Sequence, residues 1–190
     1  MRAVNGCKRN IDYAASMGCG IIIGFLKGGP GSDREVSERL FLESMLELKP
    51  YIEEKKVQVL IEATNHKEAS IIRTLKEGAH VINFLDCPFI QLLADTYHMN
   101  IEEPSLVDSL SEYMSYYPHL HISDDNRAYP GLGSLDFNAI YRKLMECGNQ
   151  GTGAVGGNIT HGLLEDTTIC GAILHKVCSG LPTPSRRPSP

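Results

Sequence analysis

Five things are missing from this chain, and each absence argues against a class of protein. The six cysteines, at positions 7, 19, 87, 147, 170 and 178, form no C-x-x-C pair and no framework spacing. That argues against a disulfide scaffold and leaves them as reduced core or surface thiols of a cytosolic protein. No apolar run reaches membrane-spanning length. The opening Met-Arg-Ala-Val-Asn-Gly lacks the apolar segment of a signal peptide. No G-x-G-x-x-G follows an apolar strand, which argues against a dinucleotide-binding enzyme. There is no excess of positive charge either: 18 Lys and Arg stand against 23 Asp and Glu, a net charge of -5. Nucleic acid and anionic membranes are therefore poor partners. What remains is a chain of 190 residues, 42% apolar and 22% charged, enough for one globular domain with a sizeable core.

Along the chain, apolar runs alternate with helical patterns. Residues 7 to 17 read as a helix ended by Gly18. Gly20 to Leu26 reads as a strand buried on both faces. A Gly/Pro loop follows, Lys27 to Gly31. Ser32 with Glu35 has the form of a capping box. The helix behind it should run to about Lys56, with Val36, Leu40, Met45, Leu48 and Ile52 on one face. Val57 to Ala63 is a second strand, and helix is expected from about Lys67 to Leu85. Phe89 to Ala94 is a third strand, ending at Asp95. Pro104 opens a helix to about Met114. His119 to Ile122, Asp136 to Glu146, Thr152 to Val155 and Leu163 to Val177 complete the series as strand, helix, strand and helix. The domain is expected over 1–178, with a disordered Pro/Ser-rich tail over 179–190.

Five βα units of about 30 residues imply parallel strands. Polar residues gather at their C-terminal ends, where active sites of eight-stranded β/α barrels sit. A doubly wound sheet has the same alternation.

The densest gathering runs from Ala94 to Gly133 and holds Asp95, His98, His119, His121, Asp124 and Arg127, with Glu62 at an earlier strand end. Carboxylates and an imidazole, each at a different strand end, suit a hard or borderline divalent cation. His119 and His121 share a face of their strand. Simpler roles stay open residue by residue. Asp95 could be a helix N-cap, either histidine a satisfied core or surface residue, and Glu68 a solvated helix residue. Glu62 stands apart, since a carboxylate closing an apolar strand is costly unless paired.

Three segments, in order, carry a resemblance: Glu62-Ala-Thr-Asn65-His-Lys-Glu68, Asp95-Thr-Tyr-His98-Met-Asn-Ile-Glu-Glu, and His119-Leu-His121-Ile-Ser-Asp-Asp-Asn126-Arg127. They resemble the signature segments of the sugar phosphate isomerase/epimerase family, the xylose isomerase-like barrels, in its D-tagatose 3-epimerase and D-psicose 3-epimerase branch. The resemblance spans residues 5 to 177 and implies an α/β fold, a partial TIM (β/α)8 barrel made of the last five units and lacking the first three. It implies Glu62, Asp95 and His121 as metal ligands, for Mn²⁺ first and Mg²⁺ or Co²⁺ as alternatives. It implies Glu68, His98 and Arg127 as substrate-binding residues, Glu62 as a catalytic acid/base, and a small sugar as substrate. A homo-oligomer is compatible with it.

The chain departs from the family at Gly156, which stands where the resemblance implies a fourth ligand and second acid/base, a glutamate. Glu165 and Asp166, in the next helix, are poor substitutes. The expected activity is metal-assisted proton transfer next to a sugar carbonyl through an enediolate, impaired by Gly156. The competing expectation is a non-catalytic sugar- or metal-binding remnant or assembly subunit. An abasic-site endonuclease of the same superfamily would need more ligands and a basic surface.

Overall fold

The computed structural model describes residues 2–179. Helices and strands alternate in the order α1 (Arg2–Met17), β1 (Ile21–Ile23), α2 (Arg34–Lys55), β2 (Val59–Glu62), α3 (Leu75–Leu85), β3 (Ile90–Asp95), α4 (Thr96–Glu102), α5 (Leu106–Glu112), a 3-10 turn (Met114–Tyr116), β4 (His119–Ile122), α6 (Phe137–Glu146), β5 (Thr152–Val155) and α7 (Leu163–Ser179). The five strands form one sheet in the order β1-β2-β3-β4-β5, and every neighbouring pair is parallel. The order never reverses, so there is no switch point of the doubly wound kind. The structure is the five-stranded part of a β/α barrel, open between β1 and β5.

Alternation along the strands divides the sheet into two faces. Val59, Ile61, Ile90, Leu92, Leu120 and Ile122 point to the helices and join a buried cluster with Phe41, Met45, Leu48 and Ile52 of α2 and Leu75, Val81 and Leu85 of α3. The other face, the barrel interior, carries Gln58, Leu60 and Glu62 of the β2 segment, Gln91, Leu93 and Asp95 of β3, and His119 and His121 of β4. Across it Gln58 Nε2 donates to Gln91 Oε1 at 2.9 Å. Asp95 is opposite His121, and His121 is opposite Ala154. The register therefore gathers the polar strand ends at one rim.

Several expectations are corrected. β1 covers only three residues and is not buried on both faces: Ile22 is 48% exposed, and Phe25 and Leu26 beyond it are more so. β1 is an edge strand whose interior face has no opposing wall among the described residues. The N-cap of α2 is Asp33 and not Ser32; Asp33 Oδ1 accepts from Val36 N at 2.9 Å. Ser32 instead closes a turn, its N–H donating to Gly29 O at 3.1 Å. Val36 and Leu40 are exposed, and Phe41 takes the inward position.

The helix expected from Lys67 begins only at Leu75, capped by Thr74, whose hydroxyl accepts from Glu77 N at 3.2 Å. Residues 63–74 form a loop in which Ile72 adopts a left-handed φ of 54°, a conformation that interrupts helix. The helix expected from Pro104 begins after Ser105, whose hydroxyl caps Asp108. The expected tail lies, from 180 to 190, outside the described residues.

The two cap readings are separable by experiment. Asp33→Ala should cost about 1 kcal/mol, the usual loss for an N-cap, and lower the melting temperature by roughly 2–4 °C for a domain of this size. Ser32→Ala should leave it within about 1 °C on the same scale. Thermal melts by circular dichroism check both.

Candidate active site

Asp95 is the last residue of β3 and the N-cap of α4 at once. Its Oδ1 accepts from Tyr97 N at 2.9 Å and from His98 N at 3.4 Å. Its Oδ2 is left for the barrel interior, where Arg127 Nη1 lies at 2.7 Å and His121 Nδ1 at 3.7 Å. The capping role and the site role are held by different oxygens of one fully buried carboxylate. Burial works to raise its pKa. The His121 interaction and the Arg127 charge outweigh burial and hold the carboxyl below its ordinary range.

Glu62 ends β2 and reaches across the interior to His121, with Oε1 3.1 Å from Nδ1. Its other oxygen lies against Gly24. A Cβ at position 24 would come within 2.8 Å of Glu62 Oε2, so the carboxylate occupies space that any other residue there would take. His121 thus has a carboxylate on each side. Asp95 and Glu62 together lift its pKa to about 9. By distance Glu62 is the hydrogen-bond partner and Asp95 an ion pair. An imidazole so strongly raised marks a place where the carboxylates require a positive charge.

His98, in α4, is buried beside this group. Its Nδ1 lies 3.2 Å from Asn65 N and 2.8 Å from Asn65 Nδ2. A backbone N–H can only donate, so Nδ1 is the acceptor, and the neutral ring carries its proton on Nε2. Burial lowers the His98 pKa, against the pull of Asp95, and keeps the ring neutral. Glu62, Asp95 and His98 each offer a ligand-capable atom, all within 4.8 Å of one another. In this tautomer, however, the Nε2 of His98 is a donor, whereas His121 Nδ1 faces both carboxylates directly.

Arg127 follows β4 at a left-handed φ of 64°, set by a turn in which its N–H donates to Asp124 O at 3.0 Å. That turn aims the guanidinium back at Asp95. Its carbon lies 4.8 Å from the centre of the Tyr97 ring, within cation–π range. Glu68 sits at the rim. Its Oε1 accepts from Asn65 Nδ2 at 3.4 Å, so Asn65 links it to His98.

Not every residue of the gathering converges. Asp124 is fully buried and turned into its own loop, where it accepts from the N–H groups of Asp125, Gly131 and Leu135. His119 lies deeper on β4, its ring 5.6 Å from that of His121 and its Nδ1 2.6 Å from Thr152 Oγ1. Asp166 is used in capping Thr160 and His161. Gly156 follows β5, and a Cβ there would meet nothing closer than His121 Cγ at 4.0 Å. The space beside His121 on that side is open.

Sequence reasoning missed Gly24, Asn65 and Lys27. Lys27, read as part of a connecting loop, is wholly buried beneath Glu62. Burial pulls its ammonium down to about 8 against the attraction of Glu62, Glu68 and Glu77. Nothing local marks a lysine after an apolar strand as buried. Asn65, standing between two motif glutamates, was the one with a signal to find.

Comparison with known proteins agrees with this architecture. The chain is 37% identical over 93 residues to 3-dehydro-D-guloside 4-epimerase of Escherichia coli (strain K12), a stretch covering 49% of this chain and 36% of that protein. It is 29% identical over 133 residues to L-ribulose 3-epimerase of Methylomonas sp. (strain DH-1), covering 70% of this chain and 46% of that one. The matched stretch thus spans less than half the length of either relative. Among solved structures, the apo form of 3-keto-D-glucoside 4-epimerase from E. coli superposes with a TM-score of 0.80 at 24% identity, over 93% of this chain and 70% of that one. The family model for the xylose isomerase-like TIM barrel matches residues 1–155. By that match, and with five parallel strands in barrel order, the chain belongs to the xylose isomerase-like TIM barrel family.

Proposed function

We propose that this site binds a divalent cation and a small sugar and moves a proton on a carbon next to the sugar's carbonyl. The observation that carries the proposal is the arrangement of Glu62 and Asp95 on either side of His121 Nδ1. Relatives named as sugar epimerases support the substrate class.

Two buried carboxylate oxygens and one imidazole nitrogen are a donor set for Mn²⁺, Mg²⁺ or Co²⁺, and we assign Mn²⁺ first. The raised pKa of His121 supports the fit, since a cation would take the place of that imidazole's proton. Glu62, Asp95 and His121 would hold the ion. A bound ion of this kind supplies Lewis-acid polarisation of a carbonyl oxygen. Glu62 then takes the carbon-bound proton as general base, its second oxygen lying in the space that Gly24 leaves free. His98 offers its Nε2 proton to a substrate oxygen, held in that tautomer by Asn65. Arg127 and Glu68 flank the same space and bind hydroxyl or carbonyl oxygens.

Gly156 favours a narrower chemistry than two-base epimerisation. No carboxylate stands at that position to return a proton from the far face, so transfer by Glu62 alone is confined to one face, as in aldose–ketose isomerisation. The same open space also supports a binding role without turnover. The two readings differ in one measurement, deuterium incorporation from D₂O into a ketose followed by NMR. Incorporation that Glu62→Gln abolishes supports proton transfer; metal binding with no incorporation supports the binding reading.

At Mn²⁺ a hundredfold above its dissociation constant, the fold should gain about 2.7 kcal/mol and melt roughly 5–10 °C higher. Asp95→Asn should remove most of that shift. Gly156→Glu, which adds a carboxylate beside His121, should enlarge it. A melt indifferent to Mn²⁺ in all three proteins would sink the metal assignment.

The pH dependence has a definite sign. In the metal-free protein the raised His121 contributes stability that is fully present below its unfolded value of about 6.5. This stability is lost as pH rises through about 9. Metal binding expels that proton, so Mn²⁺ affinity should rise about tenfold per pH unit between pH 7 and 8. Isothermal titration in two buffers of different ionisation enthalpy reads the released proton directly.

A further inference from the structure

The largest fully buried side chain among the described residues is a lysine. Lys27 lies in the loop after β1, and its ammonium donates to Glu62 O, to Thr64 Oγ1 at 2.9 Å and to Ile72 O at 3.3 Å. An ammonium has three protons, and all three have acceptors here. All three acceptors belong to the end of β2 and the loop behind it, none to the loop that carries the lysine.

The placement answers a gap in the sheet. β1 ends at Ile23, opposite Ile61, one residue short of Glu62. Beyond that pair no strand flanks Glu62 on the β1 side, and Lys27 supplies the donor to its carbonyl. The same cation braces Ile72 in its left-handed conformation, together with Thr64 N, which donates to Ile72 O at 3.2 Å. Ser70 N donates to Gly28 O at 3.2 Å and stitches the two loops together again. The loop so held carries Asn65, which sets the tautomer of His98, and Glu68. Three of the six residues of the candidate site depend on the segment that Lys27 anchors.

We propose that Lys27 is a positioning residue of the active site: through the main chain of Glu62 and the loop from Thr64 to Ile72 it fixes Glu62, His98 and Glu68 in their working geometry. The inference rests on the metal-binding, proton-transfer reading given above. Lys27 touches no substrate and transfers no proton.

The test uses the full 190-residue chain with Lys27→Met and Thr64→Val. The second variant removes one of the three acceptors and keeps the shape of the side chain. Two readouts are taken: the Mn²⁺ dissociation constant by electron paramagnetic resonance, and the ring ¹⁵N shifts of His98 without metal. Asp33→Ala is the control for lost stability away from the site.

Lys27→Met should weaken Mn²⁺ binding about 10–100-fold, the range for partners that orient ligands, and Thr64→Val severalfold. Both should move His98 out of its Nε2-protonated state, while Asp33→Ala changes neither readout. Should Lys27→Met fail to fold, Thr64→Val decides. Mn²⁺ affinity within twofold of the parent, with unchanged His98 shifts, would reduce Lys27 to a fold strut and overturn the inference. If the parent chain itself binds no Mn²⁺, the metal reading fails. The His98 shifts then decide the positioning role alone: movement upholds it and constancy overturns it.

Discussion

The fully buried carboxylate of Asp95 is the constraint on which the site's construction depends. A charge removed from water must be met by partners at close range, and Asp95 recruits them from two parts of the chain. The first turn of α4 gives two N–H groups to one oxygen. Arg127 and His121, from the segment 26 to 32 residues further on, serve the other. The turn at Arg127 aims its guanidinium at Asp95, and Asp95 acts with Glu62 to raise the pKa of His121. A second carboxylate, Glu62, enters the same space. The pair is balanced by positive charge at close range, Arg127 at Asp95 and the raised imidazole of His121 between the two carboxylates.

Much of this was legible before any coordinates. Asp95, His98, His121 and Arg127 lie within 33 positions of each other in the sequence, and strand periodicity alone places the first and third at neighbouring strand ends. Glu62 was conspicuous because it closes an apolar run. The strands were legible because they are short apolar runs set between helical patterns, and length separates such a run from a buried helix. The barrel order was not, because βα alternation is common to both parallel architectures, and only the sequential pairing of β1 to β5 separates them.

What stayed hidden depends on residues far apart in sequence. The segment 67–74 reads as helix by composition, yet it is loop, bonded through Ile72 to a lysine 45 positions upstream. No window of the sequence contains both partners. Ser32 and Asp33 are both good caps; the turn that consumes Ser32 decides between them. The expected burial of β1 presumed a neighbour on each side. In an open sheet the interior side of an edge strand faces solvent, and Ile22 pays for it with half of its surface.

Gly156 connects the architecture to the chemistry. On the proposed reading, Glu62 and Asp95 approach His121 from the β2 and β3 side, and the strand end on its other side is that of β5. A second base would have to stand there to reach the opposite face of a sugar carbon. Position 156 points into that space and offers no side chain to fill it. Inverting a stereocentre requires a proton returned to the face opposite the one it left. Moving a proton between adjacent carbons on one face requires a single base. On that reading, a site with its carboxylates on the β2 and β3 strand ends and an open β5 end would be suited to same-face transfer. On the same reading, the residue that separates it from two-face chemistry is a glycine at which an added Cβ would meet nothing closer than His121 Cγ at 4.0 Å.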